Sequence, residues 1–178
     1  MTACMPPLRS SVIGLGNVFL GDDGFGVAVA RLLSTRSLPA DVKVVDFGIR
    51  GLDLTFALLE GFDAAVLIDA TRRGGPPGTL YVLEPEVGSG VEHQPGGVTI
   101  DMHAMDPARV LALVRSLGGN LGTLRVVGCE PGTLGEADDL APGLSVEVLA
   151  AIGPAAALVE RLVLELCEGN GKELACTS

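Results

Sequence analysis

Apolar residues in this chain fall into short continuous runs separated by stretches of helical spacing, and that alternation sets the expected fold. Leu8 to Leu15 reads as a first strand whose apolar end marks burial on both faces. Gly24 to Ser34 predicts a helix, with Phe25, Val27, Ala28, Leu32 and Leu33 as its inner-face candidates, and Leu38-Pro39 breaks the pattern. Val42 to Phe47 predicts a second strand. Gly51 to Glu60 predicts a second helix with Leu52, Leu54, Ala57 and Leu58 on one buried side. Ala64 to Asp69 is a third apolar run, ended by an acid. Strands and helices in strict alternation imply parallel strands joined by right-handed crossovers.

The next link differs. Arg72 to Gly78 is too short for a crossover helix, so Thr79 to Leu83 is expected to be an antiparallel edge strand. Glu84 to Met102 is a long Gly/Pro-rich segment, a kind of loop that is usually functional or mobile. Asp106-Pro107 has the form of an N-cap followed by proline at the first helical position, opening a helix that Gly118-Gly119 stops. Thr123 to Cys129 predicts a fifth strand and Glu130 to Gly143 a second long loop. Ser145 caps a last helix reaching about Glu168, with a kink expected at Gly153-Pro154 and a frayed tail beyond. The expectation is one α/β domain over residues 1–178, its core about 8–168. It is a three-layer sandwich: a five-stranded, mostly parallel twisted sheet with one antiparallel edge strand and helices on both faces.

Composition narrows the function classes. The chain has 178 residues, 48% hydrophobic and only 3% aromatic with no Trp, so Val, Leu, Ile and Ala build the core. A formal net charge of -10 argues against nucleic acid or an anionic membrane as partner. Cys4, Cys129, Cys167 and Cys176 form no CxxC pair and no zinc spacing with histidine, which suits a reduced cytoplasmic chain. No segment has the apolar length of a signal peptide or a membrane span.

The candidate chemistry gathers at the turn after the first strand. Five glycines lie between Gly14 and Gly26, with Asp22 and Asp23 among them. In an open α/β sheet, ligands bind beyond the carboxyl ends of the strands where strand order reverses. That point falls between the first and third strands, so Asp22 and Asp23 face Asp69 across it. His103, just before the third helix, reaches the same end if the preceding loop crosses back. Two carboxylates and an imidazole suit a divalent transition metal such as nickel or zinc; the same groups also suit general acid–base hydrolysis. Plainer roles stand beside these. Asp22 caps the first helix, Asp23 answers the helix dipole, Asp69 satisfies a loop amide, and His103 and His93 are solvated. Gly14 and Gly16 match the first two glycines of a dinucleotide fingerprint, but Phe19 holds the third position and two acids follow. With Asp46 ending the second strand, a nucleotide-binding module remains a weak alternative.

The motifs together resemble one family. Gly14-Leu15-Gly16-Asn17, Gly21 to Val27, Asp46 to Leu54, Leu67-Ile68-Asp69-Ala70, Pro77-Gly78-Thr79-Leu80, Asp101-Met102-His103, Val127 to Pro131 and Gly143-Leu144-Ser145 occur in the order seen in hydrogenase maturation proteases. These endopeptidases trim the C-terminus of the large subunit of nickel-iron hydrogenases. The resemblance covers roughly Val12 to Leu166. It implies Asp23, Asp69 and His103 as metal ligands and catalytic residues, the first of them Glu in some members. It implies that nickel is carried by the substrate, the precursor of a hydrogenase large subunit, and is weakly held or absent in the free enzyme. Cleavage is then expected after a His or Arg, freeing the new C-terminus to close the metal site. The family's Asp-Gly-Gly-Thr segment reads Asp46-Phe47-Gly48-Ile49 here, which bears on substrate choice. A nickel-dependent chaperone that binds the precursor without cutting is the alternative from another functional class. No nucleophile triad is visible, and Cys129 reads as buried core.

Overall fold

The computed structural model describes residues 9–85, 107–134 and 142–173. The elements in chain order are β1 (Ser10–Leu15), a 3-10 turn (Asp22–Gly24), α1 (Phe25–Leu33), β2 (Val42–Gly48), α2 (Gly51–Leu59) and β3 (Phe62–Ala70). Then come β4 (Leu80–Leu83), α3 (Pro107–Ser116), β5 (Leu121–Cys129) and α4 (Val146–Glu173). The sheet order is β2-β1-β3-β5-β4. The first four of these strands run parallel, and β4 pairs antiparallel with β5 at the edge, as the short Arg72–Gly78 link requires. Strand order reverses between β1 and β3, where the sequence placed the switch point.

The apolar strands feed two cores. Val12, Val66, Ile68 and Val127 meet Phe25, Val29 and Leu33 of α1 and Val148, Ala155 and Val159 of α4 on one face. Ile13, Leu15, Ala65, Leu67, Leu124 and Val126 meet Leu54 and Leu58 of α2 and Val110, Leu111 and Val114 of α3 on the other. Successive strand residues point to opposite faces. Asp69 therefore continues the Ala65–Leu67 row, on the side covered by α2 and α3.

Some expected positions move. On α1 the buried residues include Val29 and Ala30 but not Ala28, because Val29 packs into the core shared with α4 and Ala30 lies against Gly14 of β1. On α2, Leu52 is exposed while Thr55 is buried; the Thr55 hydroxyl donates to the Gly51 carbonyl at 2.9 Å, which satisfies it in the core. The last helix is unbroken across Gly153-Pro154 and extends to Glu173. Gly153 and Pro154 lie on its exposed side, as does Ala150, so the carbonyl that loses its partner faces water. Continuing a long packed helix also costs far less than starting one, and it carries through Gly169. His93, His103, the Asp106 cap, Cys4 and Cys176 lie outside the described residues, as does most of the Glu84–Met102 segment. Among the described residues no helix is long and apolar enough to cross a membrane.

Two glycines let α1 settle onto the strand ends. A Cβ on Gly26 would collide with the backbone carbonyls of Leu15 and Ile68, the ends of β1 and β3. Gly16, at φ 117°, would collide with the Asp23 carbonyl. Gly26→Ala is expected to cost about 1–3 kcal/mol or more, since the obstacle is backbone and not a mobile side chain. A lowered urea midpoint with unchanged m-value checks this.

Candidate functional site

The adjacent acids Asp22 and Asp23 have separate fates. Asp22 is 0% exposed. Its carboxylate accepts from the Gly132 and Thr133 amides at 2.8 Å each, from the Ser145 amide at 2.6 Å and from the Ser145 hydroxyl at 2.9 Å. Its own amide donates to the Thr133 carbonyl at 3.1 Å. Burial would raise its pKa, but the amides of Thr133, Ser145 and Gly132 and the Ser145 hydroxyl together hold it below the usual aspartate value. The expected role at the head of α1 is thus corrected. Gly24 stands at that cap without a side-chain bond, and Asp22 instead anchors the chain that leaves β5 and enters α4. Ser145 is at the expected end of α4, where its carbonyl accepts from Leu149, but its hydroxyl donates to Asp22.

Asp23 is partly buried, and its Oδ2 accepts from the Asn17 amide at 2.7 Å. Burial pushes its pKa up in spite of that bond. Its Oδ1 takes no hydrogen bond among the described residues. Asp69 is 9% exposed and pairs in register with Gly128 near the end of β3. Since Asp23 lies under Gly16, and Gly26 lies on the Ile68 carbonyl, the fold brings both acids to the carboxyl edge at the β1–β3 reversal. The third expected ligand, His103, is outside the described residues. Among the described residues no group of three or more His, Cys, Asp or Glu side chains is arranged to hold a metal.

A further acid escaped the sequence reading. Glu130, read as the start of a long loop and as part of the Val127–Pro131 motif but given no role of its own, is 5% exposed. It accepts from the Arg73 amide at 2.8 Å, the Gly74 amide at 3.2 Å and the Tyr81 hydroxyl at 3.0 Å. The available signal was an acid directly after a buried strand, the same signal that singled out Asp69. Asp46 ends up 3.4 Å from Nε of Arg31. Gly14 admits the backbone of α1 and Gly16 that of the 3-10 turn before it, and the Asn17 amide goes to Asp23. Cys129 is fully buried. Burial first, and then the charges of Asp22 and Glu130, push its thiol up to about 11, so it stays protonated core. Phe19 after β1 and Ile49 after β2 are 59% and 47% exposed, and Leu52 and Phe56 of α2 are exposed as well.

A family model described as "Hydrogenase maturation protease" matches residues 27–162. A hydrogenase expression/formation protein HupD of Rhodobacter capsulatus is 31% identical over 165 residues, covering 92% of this chain and 77% of that protein. HupM of Azotobacter chroococcum is 32% identical over 182 residues, covering 98% and 83%. Among solved structures, the hydrogenase maturating endopeptidase HybD of E. coli superposes with a TM-score of 0.71 at 28% identity, covering 89% of this chain and 93% of that one.

Asp22→Asn replaces an anionic acceptor by an amide whose nitrogen cannot accept. A loss of about 2 kcal/mol or more is expected in urea unfolding at neutral pH. The folded pKa of Asp22 lies below its unfolded value. The stabilisation is therefore complete above the ordinary aspartate range and disappears as pH falls through the lowered value. The gap between wild type and Asp22→Asn should close in that acid window, and a gap constant with pH would contradict the assignment.

Proposed function

The chain belongs to the hydrogenase maturation protease family, peptide-bond hydrolases, and on that premise we propose that it removes the C-terminal extension from the nickel-loaded precursor of a nickel-iron hydrogenase large subunit. The observation that carries the proposal is the pair Asp23 and Asp69 at the strand-order reversal, the first partly buried with one oxygen that takes no hydrogen bond among the described residues and the second 9% exposed. Such a pair attracts a divalent ion carried in by the substrate. The topology supports His103 as the third ligand. α3 leads into β5, whose first residue pairs with Phe62 at the amino edge, so α3 runs back from the carboxyl edge. Pro107, its first residue, follows His103 by four positions, on the face that the register of Asp69 occupies.

In this reading nickel is part of the substrate. Asp23, Asp69 and His103 test for its presence and hold the precursor in register, and the ion polarises the scissile carbonyl near it. The peptide is cut after a His or Arg. The apolar shoulder of Phe19, Ile49 and Leu52 borders the Asp46–Ile49 turn and offers the precursor a surface to lie on.

Incubation with nickel-loaded precursor should release a short C-terminal peptide detectable by mass spectrometry, and nickel-free precursor should stay intact. Asp69→Ala and His103→Ala should lower the rate by more than about 100-fold, beyond the ~10–100-fold typical of residues that merely support a metal ligand. Asp23→Glu should keep activity and Asp23→Ala lose it. Intact precursor in the presence of folded wild-type protein would overturn the proposal, and a stable complex without peptide release would identify a chaperone instead.

A further inference from the structure

A buried carboxylate is costly unless its oxygens are satisfied. Glu130 sits beside two arginines, yet it bonds to neither guanidinium. Its oxygens take the backbone amides of Arg73 and Gly74 and the hydroxyl of Tyr81. The rest of the β3–β4 turn is tied to the same strand end. The Thr71 amide donates to the Cys129 carbonyl at 2.8 Å, the Gly78 amide to the Glu130 carbonyl at 2.8 Å, and the Glu130 amide to the Thr79 carbonyl at 2.8 Å. This turn is therefore fixed at both ends and in the middle. The Arg73 guanidinium lies 6.0 Å from the Tyr81 ring centroid. Arg72 is exposed and makes no ion pair or hydrogen bond among the described residues.

The position of these cations is unusual for a chain of net charge -10. Arg72 follows Asp69 by three residues, at most about 11 Å of chain. Of the four acids at this edge, Asp22 and Glu130 are committed to amides, and among the described residues neither arginine forms an ion pair with a carboxylate. We infer that Arg72 and Arg73 form a rigid cationic rim that binds a carboxylate of the precursor's C-terminal extension; this rests on the processing reading above. Guanidinium forks match carboxylates, and a turn held rigid before binding loses little entropy when it does so. The acids of the mouth repel an anion everywhere except at this rim, which sets the direction of the bound chain. The extension suits it because it is the part of the precursor that ends in a free carboxylate.

The test measures the dissociation constant of the nickel-loaded precursor together with KM and kcat for peptide release. For Arg72→Glu/Arg73→Glu, both Kd and KM should rise about tenfold at low salt, with kcat within about twofold, and the effect should shrink at high salt. A precursor amidated at its C-terminus should show the same loss with wild-type protein and little further loss with the variant. If Asp/Glu→Asn/Gln changes in the extension reproduce the loss and amidation does not, the bound carboxylate is a side chain. Unchanged Kd and KM in a variant with wild-type melting temperature would overturn the rim, as would a loss confined to kcat. Wild-type binding without peptide release would remove the endopeptidase reading alone, with Kd still deciding the rim; no complex at all would remove both.

Discussion

The Asp22 carboxylate is the interaction on which the site's construction depends. It is fully buried and bonded to groups from residues 132, 133 and 145. Those donors lie more than a hundred residues away in sequence, so the bond closes a long loop whose ordering entropy a neutral contact would offset poorly. It sets the turn after β1, the strand end after β5 and the start of α4 in one frame. Asp23, the next residue, inherits its position from that frame.

The acids at the carboxyl edge divide into two kinds by what satisfies them. Asp22 and Glu130 are held by amides and hydroxyls of the protein, their pKa values lowered by those bonds against the opposing pull of burial. They behave as fixed anions that order loops. Asp23 has a raised pKa and, among the described residues, a single amide on one oxygen and none on the other. Buried charge that a fold does not neutralise is a liability for stability, and it persists where something else gains from it. The same contrast extends to the cations. Arg31, Arg36 and Arg125 pair with Asp46, Glu160 and Glu84, whereas Arg72, three residues after Asp69, makes no ion pair among the described residues.

Much of the architecture was legible because apolar runs and helical spacing report burial directly. The parallel order, the antiparallel edge strand and the reversal between β1 and β3 followed from link lengths and crossover handedness. Helix faces were read less well. Val29 lies on α1 in the core shared with α4, Ala30 lies against Gly14 of β1, and Thr55 hides its hydroxyl on a local carbonyl. Neither fact is encoded in spacing alone.

At the site, sequence by itself determined which residue types could do chemistry and at which end of the sheet Asp23 and Asp69 would lie, because strand direction follows from the alternation of elements and an acid at a strand end is visible along the chain. Only the tertiary structure decided that of two adjacent acids Asp22 is the anchor and Asp23 the one with an oxygen to spare, and that Glu130 is buried while Arg72 is not. The physical reason is that these roles depend on donors brought from elements far along the chain, and a run of letters does not show which amides will be left needing a partner.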